Sequence, residues 1–112
     1  MNIPQIKNDP LYQLLRDGHI DEFNKHLEAG EHCDLQGTDL RGLDMRNIHT
    51  DGLDLSNCYL RQADLRGLDL SRTNLEGASI IGAKISGTFF PKALSAEEIS
   101  LSLLHGTRMR YR

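Results

Sequence analysis

A chain of 112 residues with a formal net charge of −3 has the size of one domain, and a globule this small encloses only a modest share of its surface. Aromatic residues make up 5% and Trp is absent, which excludes a conventional aromatic core and leaves Leu, Ile and Ala at repeating positions to do the packing. The slightly acidic balance, without interleaved aromatic and basic residues, makes a nucleic-acid track unexpected.

The opening residues MNIPQIKNDP lack a charged segment followed by an apolar run, and no stretch approaches the ~18 apolar residues of a membrane span, so a cytoplasmic protein away from membranes is expected. Residues 1–32 read as an N-terminal helical hairpin. Leu11, Leu14 and Leu15, then Ile20, Phe23 and Leu27, have helical spacing. Asp9 suits an N-cap with Pro10 in the first helical position, Gly18 breaks the pattern, and Gly30 suits a left-handed C-terminal residue. The phrase LLRDGHIDEFNKHLEAG resembles the helix pair of one ankyrin repeat without its Thr-Pro-Leu-His signature. The expected role is a cap over the apolar, open edge of the segment that begins at Cys33.

Residues 33–92 divide into twelve blocks of five, CDLQG TDLRG LDMRN IHTDG LDLSN CYLRQ ADLRG LDLSR TNLEG ASIIG AKISG TFFPK, with Leu or a substitute third in nearly every block. A period of five fits neither a helix nor a flat strand, so something turns the chain at every block. If each block is one side of a square, four blocks return the chain to its start after twenty residues, and successive coils pair at about 4.8 Å. The first and third places point inward, and the Gly and Asn frequent at the fifth place serve the corners. The predicted core is four columns: Leu35, Leu55, Leu75; Leu40, Leu60, Ile80; Met45, Leu65, Ile85; and Thr50, Leu70, Phe90. Thr50 is the weak point, and its block IHTDG is expected to be distorted. Cys33 and Cys58 fall at first places and are expected to be buried free thiols, not a disulfide.

Residues 93–112 read as a C-terminal helix and basic tail. Ser95 and Glu98 form a capping box, Leu94 and Ile99 suit a hydrophobic staple, and Gly106 is a stop signal. Ile99 and Leu103 share the side that would lie over the last coil. Leu101 and Leu104 form a second stripe, which with Met109 and Tyr111 of the tail is the predicted surface for a homodimer.

Blocks such as TDLRG, ADLRG and TNLEG resemble the pentapeptide-repeat family, over about half the chain, and the ending FPKALSAEEISLSLLHGTRMR resembles the helical ends of small bacterial members. The resemblance implies an all-β solenoid with helical caps, a right-handed quadrilateral β-helix of about three coils. The family usually has a small residue at the inner first place, so Leu43, Ile48, Leu53 and Leu68 are expected to overfill it. Some larger members mimic duplex DNA and act on DNA gyrase through a long acidic rod. Three coils span about 15 Å, where duplex DNA carries roughly nine charges; the repeat region holds eight acidic against seven basic residues.

The expected function is therefore a non-enzymatic protein-interaction module whose partner protein the sequence does not specify, with modulation of a DNA-handling enzyme as the alternative. Arg41, Tyr59, Arg61 and Ile81, all facing out from the second side, are the predicted binding residues. The like-charged columns Arg41 over Arg61 and Arg46 over Arg66 need acids alongside, and Asp39, Asp44 and Asp64 are placed to supply them. No cofactor is expected: His19, His26, His32 and Cys33 match no zinc spacing. Nor is a catalytic set: His49 near Asp51 reads as a solvated surface pair, and no nucleophile has a base beside it.

Overall fold

The computed structural model describes residues 3–112. Among the described residues three helices flank the repeat: α1 (Pro10–Arg16), α2 (Ile20–Glu28) and α3 (Ala96–His105). Asp9 caps α1 by accepting from the amides of Leu11 at 2.8 Å and Tyr12 at 3.3 Å, and Pro10 lacks the donor that its position would leave unpaired. Gly18 turns the chain into α2 at φ +80°. The inward face differs from the Leu pattern in one respect. Tyr12 is fully buried while Leu14 is half-buried, because the Tyr12 hydroxyl reaches into the repeat and donates to the Asp39 carbonyl at 2.7 Å.

The repeat is built from one turn per block. At every junction from Thr38 to Thr88 the first-place amide donates to the third-place carbonyl of the preceding block, as in Thr38 to Leu35 at 3.1 Å and Ala63 to Leu60 at 3.0 Å. The fifth residue inside each such turn has positive φ, Gly at most positions but also Asn47, Asn57 and Gln62. Arg72 is the exception within the repeat.

Between turns the chain pairs with the chain twenty residues on. The parallel bridges are Asp39 to Tyr59 to Ser79, Asp44 to Asp64 to Lys84, Asp54 to Asn74, and Asp69 to Phe89. Each joins two backbone bonds, such as Tyr59 N to Thr38 O at 3.1 Å and Leu40 N to Tyr59 O at 2.9 Å. The expectation of an all-β chain needs correction here: the bridges are isolated, and among the described residues no continuous strand forms. A five-residue block that spends two residues on a corner has only its second residue left to bridge.

The first and third places point inward as the alternation requires. Leu35, Leu40, Met45, Leu55, Leu60, Leu65, Leu70, Leu75 and Ile80 are fully enclosed. Ile85 and Phe90, at the end of their columns, are only half-buried. At the first place Ile48, Leu53 and Leu68 keep 5–6% exposure where Ala63 and Ala78 keep none. Leu43 is half-buried. Cys33 and Cys58 are buried free thiols, the Cys58 sulfhydryl donating to the Leu35 carbonyl at 2.9 Å. Burial, with Asp9 and Asp34 nearby, pushes the Cys33 thiol up to about 12.

Two blocks of the first coil lack their bridge to the second, CDLQG and IHTDG. No bridge joins His49 to Asp69; instead the Thr50 hydroxyl donates to the Asp69 carbonyl at 2.7 Å, in the place of a backbone amide. On the opposite edge of the block, which has no preceding coil, α2 supplies the partner: Asn24 donates to the Asn47 carbonyl and accepts from the His49 amide, each at 2.8 Å. Thr50 is half-buried and hydrogen-bonded, so what weakened the column in the sequence is an anchor point in the fold.

Gln62 holds φ +58° without the freedom of Gly. An L-residue in this region costs roughly 1–2 kcal/mol, part of which Gly returns through its greater unfolded-state entropy. We expect Gln62→Gly to stabilise the protein by about 0.5–1 kcal/mol, measured as a raised thermal midpoint; an unchanged or lower midpoint refutes the account of the corners.

Candidate interaction surfaces

The second-place Asp residues, which face outward, do local work. Each accepts from the amide two residues on: Asp39 from Arg41 and Asp44 from Arg46 at 3.1 Å, Asp54 from Ser56 at 2.9 Å, and Asp64 from Arg66 at 3.2 Å. Three of them also clasp the Arg at that position in a fork. The distances are 2.9 and 2.7 Å in each of the pairs Asp39–Arg41, Asp44–Arg46 and Asp64–Arg66. Arg46 reaches Asp64 as well, at 3.4 Å. Arg41, Arg46 and Arg66 of the stacked columns are thereby neutralised within their own blocks, and Arg61 is not. The Arg side chains hold the Asp39, Asp44 and Asp64 carboxyls below the usual carboxylate range, Asp64 furthest. Lys7 does the same for Asp34, and Ser71 for Asp69.

This geometry revises the predicted binding residues on the second side. Arg41 is exposed but committed to Asp39, and Arg61 is exposed with no carboxylate within ion-pair distance among the described residues. Tyr59 and Ile81 are half-buried, not free anchors. The Arg108 guanidinium donates to the Tyr59 hydroxyl at 2.6 Å and lies 5.4 Å from its ring centre. Ile81 lies under the end of α3, so close that a Cβ on Gly106 would meet it at 3.4 Å. The C-terminal segment covers this face.

The predicted dimer surface is also cut down. Met109 is fully buried and Tyr111 half-buried, because the tail completes the ladder of the last coil. The Tyr111 hydroxyl accepts from the Leu75 amide at 2.9 Å and lies 3.3 Å from the Thr73 carbonyl. Met109 accepts from Gly77 at 2.7 Å and donates to Ala78 at 2.9 Å. Ser102 Oγ accepts from Ile80 at 3.0 Å, and the Leu103 carbonyl accepts from Gly82 at 3.0 Å. Leu101 and Leu104 remain outward, 40% and 70% exposed. The expected capping box is half formed: Ser95 accepts from the Glu98 amide at 3.1 Å, but the Glu98 carboxylate turns to the tail and accepts from the Arg110 backbone amide at 2.9 Å.

The third and fourth sides of the last coil have no such cover. Their inner counterparts one coil back are paired: Leu65 to Lys84, Gly67 to Ser86, Leu70 to Phe89, with Ala63 and Leu68 carbonyls accepting from Lys84 and Phe89. The corresponding amides of Ile85, Gly87 and Phe90 and carbonyls of Ala83 and Thr88 have no partner among the described residues. Phe89 stands beside this edge 67% exposed.

At the other end, His49 pairs with Glu28 of α2 at 3.1 Å, and Asp51 faces Arg72 at 3.8 Å; the predicted His49–Asp51 pair does not form. His26 is held by Glu31. Among the described residues no group of His, Cys, Asp and Glu is placed to hold a metal ion, and no helix is long and apolar enough to cross a membrane.

Residues 54–90 match the family model for pentapeptide repeats, in eight copies. That stretch consists of pentapeptide repeats. The match begins at the second coil and leaves out the first, where Met45 and Thr50 replace the central Leu. No curated protein and no solved structure matches the chain.

Two measurements check these surfaces. Because the Asp carboxyls titrate lower when folded, their contribution is complete above the ordinary range near pH 4 and is lost as pH falls below it. The thermal midpoint is therefore expected to drop between about pH 4 and pH 2, and less steeply when Arg41, Arg46 and Arg66 are all changed to Gln. Tyr111→Phe strands the Leu75 amide and is expected to cost about 1–3 kcal/mol in denaturant unfolding; a cost near zero removes the tail from the ladder.

Proposed function

We propose that the chain is a right-handed, four-sided β-helix with a helical cap over residues 1–32 and a closing unit over 93–112, acting as a small rigid protein-binding module without enzymatic activity. Four turned blocks per bridge step, with all bridges parallel, support the shape. The observation that carries the function is the placing of exposed apolar residues: Ile3 and Ile6 lie in the N-terminal segment, while Phe89, Leu101 and Leu104 gather at the C-terminal end of the repeat, beside its open edge. Large apolar side chains left in water at one end of a rigid stack are what an interface requires.

Modulation of DNA gyrase by mimicry of duplex DNA is the weaker reading. A mimic needs free carboxylates in series; Asp39, Asp44 and Asp64 are each bound by an Arg, and on the first side, with Asp34, Asp54 and Glu76, Lys7 holds Asp34 and Gln36 donates to Asp54.

The test pairs a triple Phe89→Ser, Leu101→Ser, Leu104→Ser variant with the wild type. The variant is expected to keep the wild-type melting temperature and to lose proteins captured specifically from the native cytosol. Unchanged capture refutes the surface. Sedimentation of the wild type reports whether a second copy occupies Leu101 and Leu104, and Leu101→Asp is then expected to restore the monomer. Inhibition of gyrase supercoiling by the wild type overturns this reading in favour of the alternative.

A further inference from the structure

Resting on the reading of the C-terminal end as a protein-binding surface, we infer that the open edge of the last coil accepts an extended acidic and apolar segment of a partner protein as an added parallel strand.

On sides one and two of this coil, six backbone groups point out of the last ladder: the Thr73 and Ala78 carbonyls and the Leu75, Gly77, Ile80 and Gly82 amides. All six are met by Tyr111, Met109, Ser102 and Leu103. On sides three and four the equivalent groups, the amides of Ile85, Gly87 and Phe90 and the carbonyls of Ala83 and Thr88, are met by nothing in the described chain. The fold has thus closed half of this edge and left the other half in bonding geometry. A segment running in the same direction, as every bridge in the molecule does, restores the pattern that Lys84 to Phe89 supplies to the coil below. This is strand addition, in which the main chain gives affinity and alternate side chains give specificity.

The side chains along the edge state what the segment carries. Lys84 ends the outward column Asp44, Asp64, Lys84, is exposed, and has no carboxylate within ion-pair distance among the described residues. Asp64 beneath it is taken by Arg66 and Arg46. An acidic residue stacked over Lys84 supplies the missing charge. Five residues on, the position over Phe89 meets a ring that is 67% exposed, and an aromatic or large aliphatic residue fits there. Inward residues of the segment would cover the half-buried Ile85 and Phe90.

A second copy is the poorer occupant. Stacked head to tail it would present its own first coil, where Asn24 already holds the His49 amide and Gln5 bridges Thr38. Joined edge to edge about a two-fold axis it would bring two Lys84 side chains to one seam, and an edge Lys is a means of preventing such pairing. An acid on a different chain removes that obstacle.

The experiment uses the full chain labelled with 15N and the octapeptide acetyl-Ala-Glu-Leu-Ser-Gly-Ala-Phe-Leu-amide, which sets Glu over Lys84 and Phe over Phe89. In the free protein the Ile85, Gly87 and Phe90 amides are expected to exchange fast while Leu65, Gly67 and Leu70 are protected. The peptide is expected to protect those three. Replacing its Glu by Lys is expected to weaken binding roughly fivefold, and Lys84→Glu to reverse the preference. Absence of protection, or equal binding of both peptides, overturns the inference. Edge amides protected without peptide in a protein of doubled mass overturn it in favour of a second copy. If the peptide fails while the triple Ser variant still loses its captured proteins, the strand addition is wrong and the binding module stands.

Discussion

Each twenty-residue step leaves a row of backbone donors and acceptors that only the next step can satisfy, and this demand governs the whole chain. A typical bond in the ladder contributes about 1 kcal/mol net, whereas a buried group left unmade costs about 1–3 kcal/mol. The asymmetry matters most at the two ends, where no further step exists. At the N-terminal end Gln5 bridges Thr38 and Asn24 takes the His49 amide. At the other end α3 and the tail supply a hydroxyl from Ser102, one from Tyr111, and the backbone of Leu103 and Met109. The flanking segments are therefore substitutes for missing coils, made of whatever groups can reach the last ladder.

That origin explains which parts were legible in the sequence. Nine of the twelve column residues, the corner glycines and the N-caps Asp9 and Ser95 follow from rules spanning a few residues, and the structure places them as those rules require. Tyr12, Ser102, Met109 and Tyr111 were not legible as cap groups, because their positions answer to hydrogen-bonding demands arising up to 38 residues away in the chain. Hydrophobic spacing favoured Leu14 and assigned Met109 and Tyr111 to an outer surface, since spacing registers apolar bulk and not a hydroxyl or carbonyl aimed at an open ladder. Thr50 shows the same limit. As a polar residue in an apolar column it read as a defect, and its hydroxyl turns out to occupy a ladder position.

The outward faces show a similar division. Asp recurs at the second place, and the charge count of the repeat region sets eight acidic residues against seven basic ones. In three dimensions each Asp first fastens the corner that follows it, and three of them hold an Arg in the same corner. The charge is consumed in building the coil, which leaves little long-range field on these sides. Tyr59 and Ile81 looked like interface anchors because the repeat does not ask for them; what asks for them is the returning C-terminal segment. The exceptions that survive folding as exposed features lie at the other sides of the last coil, at Lys84 and Phe89.

The constant step between bridged residues also makes chain length and end geometry separate properties. Duplicating a twenty-residue unit such as 54–73 returns the backbone to the same azimuth, so both flanking segments would meet ladders of the same orientation on a longer body. Adding or losing a single block of five would instead turn one end by a side relative to the other, and Asn24 or Tyr111 would face a corner in place of its partner. Length change in this architecture would thus be quantised: whole coils leave the ends aligned, and single blocks re-aim them.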